Sequence, residues 1–230
     1  MACILNIETS GAVCSVALSE TGAVIFSKEK YEGMSHASTL GLFMEEALRF
    51  ARENGKNPDA VAVSCGPGSY TGLRIGVSTA KGLCYGLDIP LIAIPTLQIL
   101  TLDALSKLDF VDYLYSPMID ARRMEVYTAL YDKHLSTVKD VSAEIIDENS
   151  FAEELSSRKI AFFGTGAEKC KTVIKHPNAI FAENIYPLAK NMLSLSEEKF
   201  NRKAFEDVAY FEPFYLKDFV ATTPKNKVLD

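Results

Sequence analysis

The glycine-rich segment at residues 66–74, G-P-G-S-Y-T-G-L-R, carries the clearest chemical signal in the sequence. It lies between an apolar strand pattern and a helical pattern, where backbone N–H groups and a helix N-terminus bind phosphate in many proteins. Its spacing departs from both common phosphate motifs. The third glycine comes one residue later than G-x-G-x-x-G requires, and Leu73-Arg74 replaces the Lys-Ser/Thr pair of a P-loop. The segment therefore predicts neither a dinucleotide site nor a P-loop.

The histidines and cysteines do not form a catalytic or metal-binding set. The three histidines, His36, His134 and His176, form no His-x-x-x-His motif, and the sequence has no Cys-x-x-Cys. Motifs of that kind supply the ligands of many protein zinc sites. The G-x-S-x-G motif of a serine hydrolase is absent as well. The five cysteines are odd in number and scattered through apolar segments, so we expect them to be reduced and buried.

Composition and charge narrow the classes of function. The chain has 230 residues, 48% of them hydrophobic, and a net charge of −6, which is enough for one large or two small folded domains. The charge shows no basic stripe of the kind that RNA-binding proteins use, so any RNA is expected to be held by another chain. The N-terminus resembles no signal peptide, and no run of about 18 apolar residues occurs, so we expect a cytoplasmic protein that does not span a membrane.

The pattern of elements predicts an α/β fold. The first hundred residues follow the order β-β-β-α-β-α-β-α, a three-strand meander and then parallel strands joined by crossover helices. That order is the half-unit of the actin/hexokinase/Hsp70-like (ASKHA) fold. The remainder is less regular and predicts a second, smaller and degenerate α/β lobe. We therefore expect lobes at residues 1–107 and 108–218, with a flexible tail at 219–230.

The turn Glu8-Thr9-Ser10, directly after the first predicted strand, is the second candidate site. In the ASKHA fold the first phosphate loop lies here and normally offers an acidic residue and small hydroxyls to metal–ATP. A corresponding later loop is Gly164-Thr165-Gly166. The alternative is a plain tight turn, which favours the same residue types. We expect a degenerate phosphate loop that no longer binds nucleotide.

The helix predicted at residues 71–87 contains four glycines, each of which costs about 1 kcal/mol relative to alanine in a helix interior. Gly72, Gly76, Gly82 and Gly86 share one face, away from the apolar face that includes Leu73. Such a stripe lets a second helix approach closely. That helix is either internal, at residues 35–52 and capped by Ser35 or its neighbour, or part of another protein.

Four segments resemble motifs of the TsaB (YeaZ) family. Residues 4–10 resemble its I-L-x-I-D-T-S, and residues 66–76 resemble its G-P-G-S-F-T-G-L-R-I-G. Residues 119–127 are similar to I-D-A-R-x-x-E-V-Y, and residues 212–217 to E-P-x-Y-L-R. The segments occur in order over nearly the whole chain. The departures are Glu8 for the usual Asp, Tyr70 for the usual Phe and Lys217 for the usual Arg.

The resemblance implies an ASKHA fold without catalytic residues or bound cofactors. It implies a scaffold subunit that pairs with a TsaD-like catalytic paralogue and a TsaE-like ATPase, which are expected to hold the metal and ATP. Together they transfer threonylcarbamoyl from threonylcarbamoyl-AMP to the adenosine next to the anticodon in tRNA, which is bound only through the complex. The family's pairing surface is a helical bundle from the N-terminal half. The interface residues expected here are His36, Leu42, Tyr70, Gly72, Arg74, Ile75, Gly76 and Thr79.

Two other functions stay open from the sequence. One is an enzyme of the same fold, either a phosphotransferase or a glycoprotease-like hydrolase, which would require an intact phosphate loop or metal ligands. The other is a homodimeric module that acts alone, and the free protein is a possible homodimer in either case. Copurification of a paralogue from the protein's own cell lysate separates the scaffold from the module.

Overall fold

A computed structural model describes residues 2–31, 36–110 and 112–217. The first half is built on a mixed sheet of five strands in the order β3-β2-β1-β4-β5. β1 pairs antiparallel with β2 and parallel with β4, and the remaining pairs continue these directions. The five strands are β1 (Cys3–Glu8), β2 (Cys14–Glu20), β3 (Ala23–Lys30), β4 (Ala60–Gly66) and β5 (Leu91–Pro95).

Three helices accompany this sheet: α1 (His36–Glu53), α2 (Tyr70–Leu87) and α3 (Thr96–Lys107). α1 and α2 cover one face, because their apolar residues join those of β1, β2 and β4 in one buried cluster. α3 lies on the opposite face with the second half of the chain. The order predicted for the first hundred residues is confirmed. The predicted cap Ser35 lies outside the described residues.

The second half contains another five-stranded sheet, in the order β10-β9-β6-β7-β8. Its strands are β6 (Leu114–Asp120), β7 (Glu125–Tyr131), β8 (Thr137–Ile145), β9 (Ile160–Phe163) and β10 (Ala179–Ala182). Two short helices, α4 (Ala152–Ser157) and α5 (Ala167–Cys170), precede and follow β9. The sequence pattern did not predict β10, and it placed the start of β8 at residue 142, five residues late.

The two sheets repeat one arrangement of strands. In each, an antiparallel meander of three strands is followed by two strands that lie parallel to the first one, on its other side. In each, a glycine with positive φ lies at the carboxyl end of the fourth strand: Gly66, the last residue of β4, at +114°, and Gly164, directly after β9, at +98°. The repeat therefore brings four loops, after β1, β4, β6 and β9, to the carboxyl ends of the first and fourth strands of each sheet.

The chain returns to the first sheet after β10. A 3-10 helix (Ala189–Met192) and α6 (Leu193–Asn201) pack against β1, β2 and β5. Farther on, Glu206 forms a β-bridge with Leu91, and the Phe214 N–H donates to the Cys65 carbonyl at 2.7 Å. This differs from the sequence expectation, which assigned residues 108–218 to the second lobe. The predicted tail at 219–230 lies outside the described residues.

None of the helices within the described ranges has the length and apolarity to cross a lipid bilayer.

Asp103 fastens this returning segment to α3. Its buried carboxylate accepts the Tyr186 N–H and the Asn191 side-chain amide, both at 2.9 Å, and pairs with Lys107 at 2.7 Å. Asp103→Ala would leave the two partly buried donors without this acceptor, so we expect a loss of about 1–3 kcal/mol in the free energy of unfolding. Urea unfolding measures it. The exposed Asp109→Ala is the matched control and should stay within about 0.5 kcal/mol. Equal effects of the two would contradict this role.

Candidate functional site

A cleft of about 630 Å³ lies at the carboxyl ends of β1, β4, β6 and β9. In α/β proteins the loops at this end of a sheet form most ligand sites. Its lining includes Ser10, Gly68, Tyr70, Arg122, Thr165 and Tyr215. The cleft therefore contains residues of both loops that the sequence predicted to be phosphate loops.

Glu8, the acidic residue of the predicted phosphate loop, points into the protein. It is fully buried, and one carboxylate oxygen accepts the Ser10 N–H. Burial raises the pKa of Glu8 to about 7, although hydrogen bonding by Ser10 opposes the shift. The other carboxylate oxygen is buried together with the hydroxyls of Ser10 and Ser64, and none of the three has a hydrogen-bond partner among the described residues. A carboxyl group in this setting favours its neutral form and is poorly placed to hold a nucleotide-bound cation.

The first loop (residues 9–13) and the glycine loop (residues 66–69) are locked together. The Ser69 N–H donates to the Ser10 carbonyl at 2.7 Å, and a Cβ at Gly68 would lie 2.6 Å from that same oxygen. Ser69 also caps α2, because its hydroxyl accepts the Gly72 N–H. A phosphate site requires free N–H groups at such a helix start. Here the N–H groups of Ser10, Ser69, Gly72 and Leu73 are hydrogen-bonded within the chain.

Gly72 and Gly76 are packed against the first loop. A Cβ at Gly72 would overlap the Thr9 carbonyl oxygen, and one at Gly76 would overlap the Thr9 hydroxyl. That hydroxyl donates a 2.8 Å hydrogen bond to the Gly72 carbonyl. Both glycines, which the sequence placed in a partner interface, are buried within their own chain and expose little surface to a partner. Their close neighbour is the first loop and not a second helix.

The other two glycines of α2 are open. Gly82 and Gly86 are exposed, and a Cβ at either position would meet no atom within 4 Å. Between them Tyr85 is 87% exposed, and Leu87 is exposed as well. On α1, the expected interface residue Leu42 is 53% exposed. The interface residues expected from the sequence do not include Tyr85, although a lone aromatic beside the glycine face of a helix is a visible signal.

The other residues expected at the interface are partly buried, except for Arg74, which is exposed. The Arg74 guanidinium lies 5.4 Å from the centroid of the Tyr70 ring, and Tyr70 in turn contacts the Tyr215 ring. His36 Nε2 is 2.7 Å from the Gly11 carbonyl, so it ties the start of α1 to the first loop. Ile75 is partly buried against the first core, and the half-buried Thr79 donates its hydroxyl to the Ile75 carbonyl at 2.9 Å.

The second half contributes an ion-paired wall to the cleft. Asp120, at the end of β6, pairs with Lys169, and this hydrogen bond holds the pKa of Asp120 below its usual value. Thr165, in the later glycine loop, accepts the Asp120 N–H at 3.1 Å. Arg122 and Arg123 follow with positive φ and are exposed. Within the described ranges, no group of three or more His, Cys, Asp or Glu side chains is arranged to hold a metal ion.

Two solved structures from Pseudomonas aeruginosa share this fold. One, described as an uncharacterized protein with similarity to peptidase YEAZ, has a TM-score of 0.81 at 26% identity. The other, described as YeaZ, has a TM-score of 0.76, also at 26% identity. Each comparison covers 94% of this chain and 100% of the other. Fold and cleft therefore define an α/β protein of the YeaZ structural class.

Sequence comparison gives the family. Residues 28–225 match the family model described as TsaD: tRNA N6-adenosine threonylcarbamoyltransferase. The tRNA threonylcarbamoyladenosine biosynthesis protein TsaB of Escherichia coli K12 is 30% identical, over 95% of this chain and 96% of its own. Its Bacillus subtilis counterpart is 38% identical over 56% of this chain and 54% of its own. The chain belongs to the TsaB family.

The buried Glu8 gives the protein a testable pH dependence. Its pKa is about 7 in the folded state against 4.5 for the free side chain, so folding takes up a proton between these values. Its contribution to stability is full below pH 4.5 and is lost as the pH rises through 7, a change of about 3 kcal/mol. Glu8→Gln should remove this part of the pH dependence. Urea unfolding at pH 5 and pH 8 measures it, and identical pH dependence in both proteins would contradict the assignment.

Alanine substitutions at a packed glycine and at an open glycine of α2 should change the stability of the free chain in opposite directions. Gly76→Ala must displace Thr9 or break its bond to Gly72, so we expect a loss of about 1–3 kcal/mol in the free energy of unfolding. Gly82→Ala is the matched control in the same helix, and it should gain about 0.5–1 kcal/mol because it meets open space. Thermal unfolding of the free chain measures both. A stabilised Gly76→Ala would show that the contact with Thr9 is absent.

Proposed function

We propose that the chain is the non-catalytic scaffold subunit of the complex that transfers threonylcarbamoyl from threonylcarbamoyl-AMP to the adenosine next to the anticodon in tRNA. Membership of the TsaB family supports the pathway, because the E. coli and B. subtilis relatives are named for tRNA threonylcarbamoyladenosine biosynthesis. The proposed partners are a TsaD-like catalytic paralogue and a TsaE-like ATPase. The tRNA is modified only in the assembled complex.

The observation that carries this proposal is the open half of α2. Gly82 and Gly86 each cost about 1 kcal/mol of helix stability relative to alanine. Nothing packed within the described chain accounts for that cost, because a Cβ at either glycine would meet open space. Tyr85 and Leu87 expose apolar surface beside them, and Leu42 does so on α1. Small residues beside exposed apolar side chains form a surface on which another helix can pack closely.

The internal hydrogen bonds at the cleft support our proposal that this chain does not bind or hydrolyse a nucleotide. Glu8 is directed away from the cleft, and the N–H groups of Ser10, Ser69 and Gly72 are occupied within the chain. A metal–ATP complex would have to displace these bonds before it could bind. We propose that the metal and ATP are bound by the partner subunits and that this chain supplies structure.

The repeated strand order supports a two-lobed ASKHA-like origin for the fold. Both sheets have the same order and the same strand directions. The second sheet is reduced, since β9 and β10 have four residues each where β4 and β5 have seven and five. We propose that the second lobe is a degenerate copy that supports the cleft from one side.

A charge on the open half of α2 tests the interface. Tyr85→Asp should weaken pairing with the TsaD-like paralogue at least about tenfold, because it buries a carboxylate in an apolar contact. The stability of the free chain should stay within about 0.5 kcal/mol, since Tyr85 is 87% exposed. Calorimetric titration against the paralogue, together with the level of modified tRNA in cells, measures the effect.

The control is Ile145→Asp, at a side chain that is 76% exposed on β8 in the second sheet. The Ile145→Asp variant carries the same added charge, but away from α2, so it should pair normally with the paralogue. Normal pairing by Tyr85→Asp would remove the open half of α2 from the interface. A chain that self-associates through Tyr85 but binds no paralogue would support the homodimeric module instead.

A further inference from the structure

A second groove, of about 580 Å³, lies at the opposite end of the second sheet from the cleft. Three turns that are distant in sequence form it: residues 112–113 before β6, 132–134 after β7 and 157–159 before β9. Because β6 has seven residues at about 3.3 Å each, the groove and the cleft are about 20 Å apart along the sheet.

The groove is lined by three cationic and two anionic side chains, so its formal charge is slightly positive on a protein whose net charge is −6. Lys133, Arg158 and Lys159 line it and are exposed. Within the described parts of the chain, no carboxylate forms an ion pair with any of the three. The groove also contains Asp112 and Asp132. One Asp132 oxygen accepts the backbone N–H groups of His134 and Ser136, both at 2.8 Å.

An aromatic ring lies on the wall of the same groove. Tyr113 stacks on Phe110 with ring centroids 4.4 Å apart, and the Lys159 ammonium lies 5.4 Å from the centroid of the Tyr113 ring. The stacking on Phe110 holds the Tyr113 ring in place on the wall of the groove. The Lys159 ammonium lies over that ring, at one side of the groove. Like charges that converge in a concave surface raise the local potential and attract an extended anion.

We propose that this groove binds the phosphate backbone of tRNA in the assembled complex. The proposal rests on the proposed function, which brings tRNA to the complex. Lys133 lies on one turn and Arg158 and Lys159 on another, so an extended polyanion can contact both turns. The groove belongs to the second sheet, whereas α1 and α2 cover the first, so it stays open when a partner occupies α2. With few cations on an acidic chain, the free subunit binds tRNA weakly, and the contact matters only in the complex.

The test is a double charge reversal, Lys133→Glu with Arg158→Glu, in the reconstituted complex with the paralogue and the ATPase. Filter binding measures tRNA affinity over a series of salt concentrations. We expect affinity to fall about tenfold near 0.1 M salt, and the slope of log K against log salt to decrease by about 1.4–1.8, since two phosphate contacts are lost. The matched control is Arg202→Glu with Lys203→Glu, an exposed pair after α6 that carries the same change of charge.

The outcomes separate the two proposals. If the wild-type complex neither binds nor modifies tRNA, the proposed function fails and this one fails with it. If the wild-type complex modifies tRNA but the double reversal keeps the same affinity and slope, only the groove is wrong. Equal losses in the control pair would show a general effect of charge and would also overturn the proposal. Inorganic phosphate serves as the probe for a small-anion site, and saturable binding to the groove with no change in tRNA affinity would assign the groove to small anions.

Discussion

The contact between Thr9 and the backbone of α2 is the constraint on which the rest of the site depends. The turn after β1 lies directly on the helix, with the Thr9 hydroxyl bonded to the Gly72 carbonyl. Only glycine leaves room for that approach at positions 72 and 76. The same turn brings Ser10 to the glycine loop, where its carbonyl accepts the Ser69 N–H. One close packing thus fixes the start of α2, the glycine loop and the floor of the cleft.

That packing also shapes the cleft, which lies where α/β folds place most ligand sites. The strand order brings four loops to one edge, as nucleotide-binding folds do. In this chain the N–H groups of Ser10, Ser69 and Gly72 at that edge are hydrogen-bonded internally, and the Glu8 side chain is buried. These hydrogen bonds hold the first loop and the glycine loop together at the start of α2.

The sequence predicted the first half well, because its strands are continuous apolar runs and its helices have clear apolar faces. It could not predict which neighbour the α2 glycines meet. A helical wheel shows that Gly72, Gly76, Gly82 and Gly86 share a face, but the tertiary fold alone shows that the first two touch Thr9 while the last two are open. Nor could it predict the basic groove, since the fold brings together turns at residues 132–134 and 157–159 that lie 23 residues apart or more.

The sequence pattern also could not predict that residues 189–214 return to the first sheet. Its contacts, such as Ala189 with Ser15 and Phe214 with Cys65, join positions more than a hundred residues apart and leave no periodic pattern in the chain. Sequence periodicity reports local burial, whereas these contacts depend on the path of the whole chain.

Calorimetric titration of the free chain with ATP and Mg²⁺ tests most directly our proposal that the locked loops leave no nucleotide site. We expect no saturable heat at micromolar to low millimolar ATP for the wild-type chain. We expect the same result for Glu8→Ala, because Glu8 is fully buried and does not line the cleft. Micromolar ATP affinity in the wild-type chain that is lost in Glu8→Ala would contradict the claim.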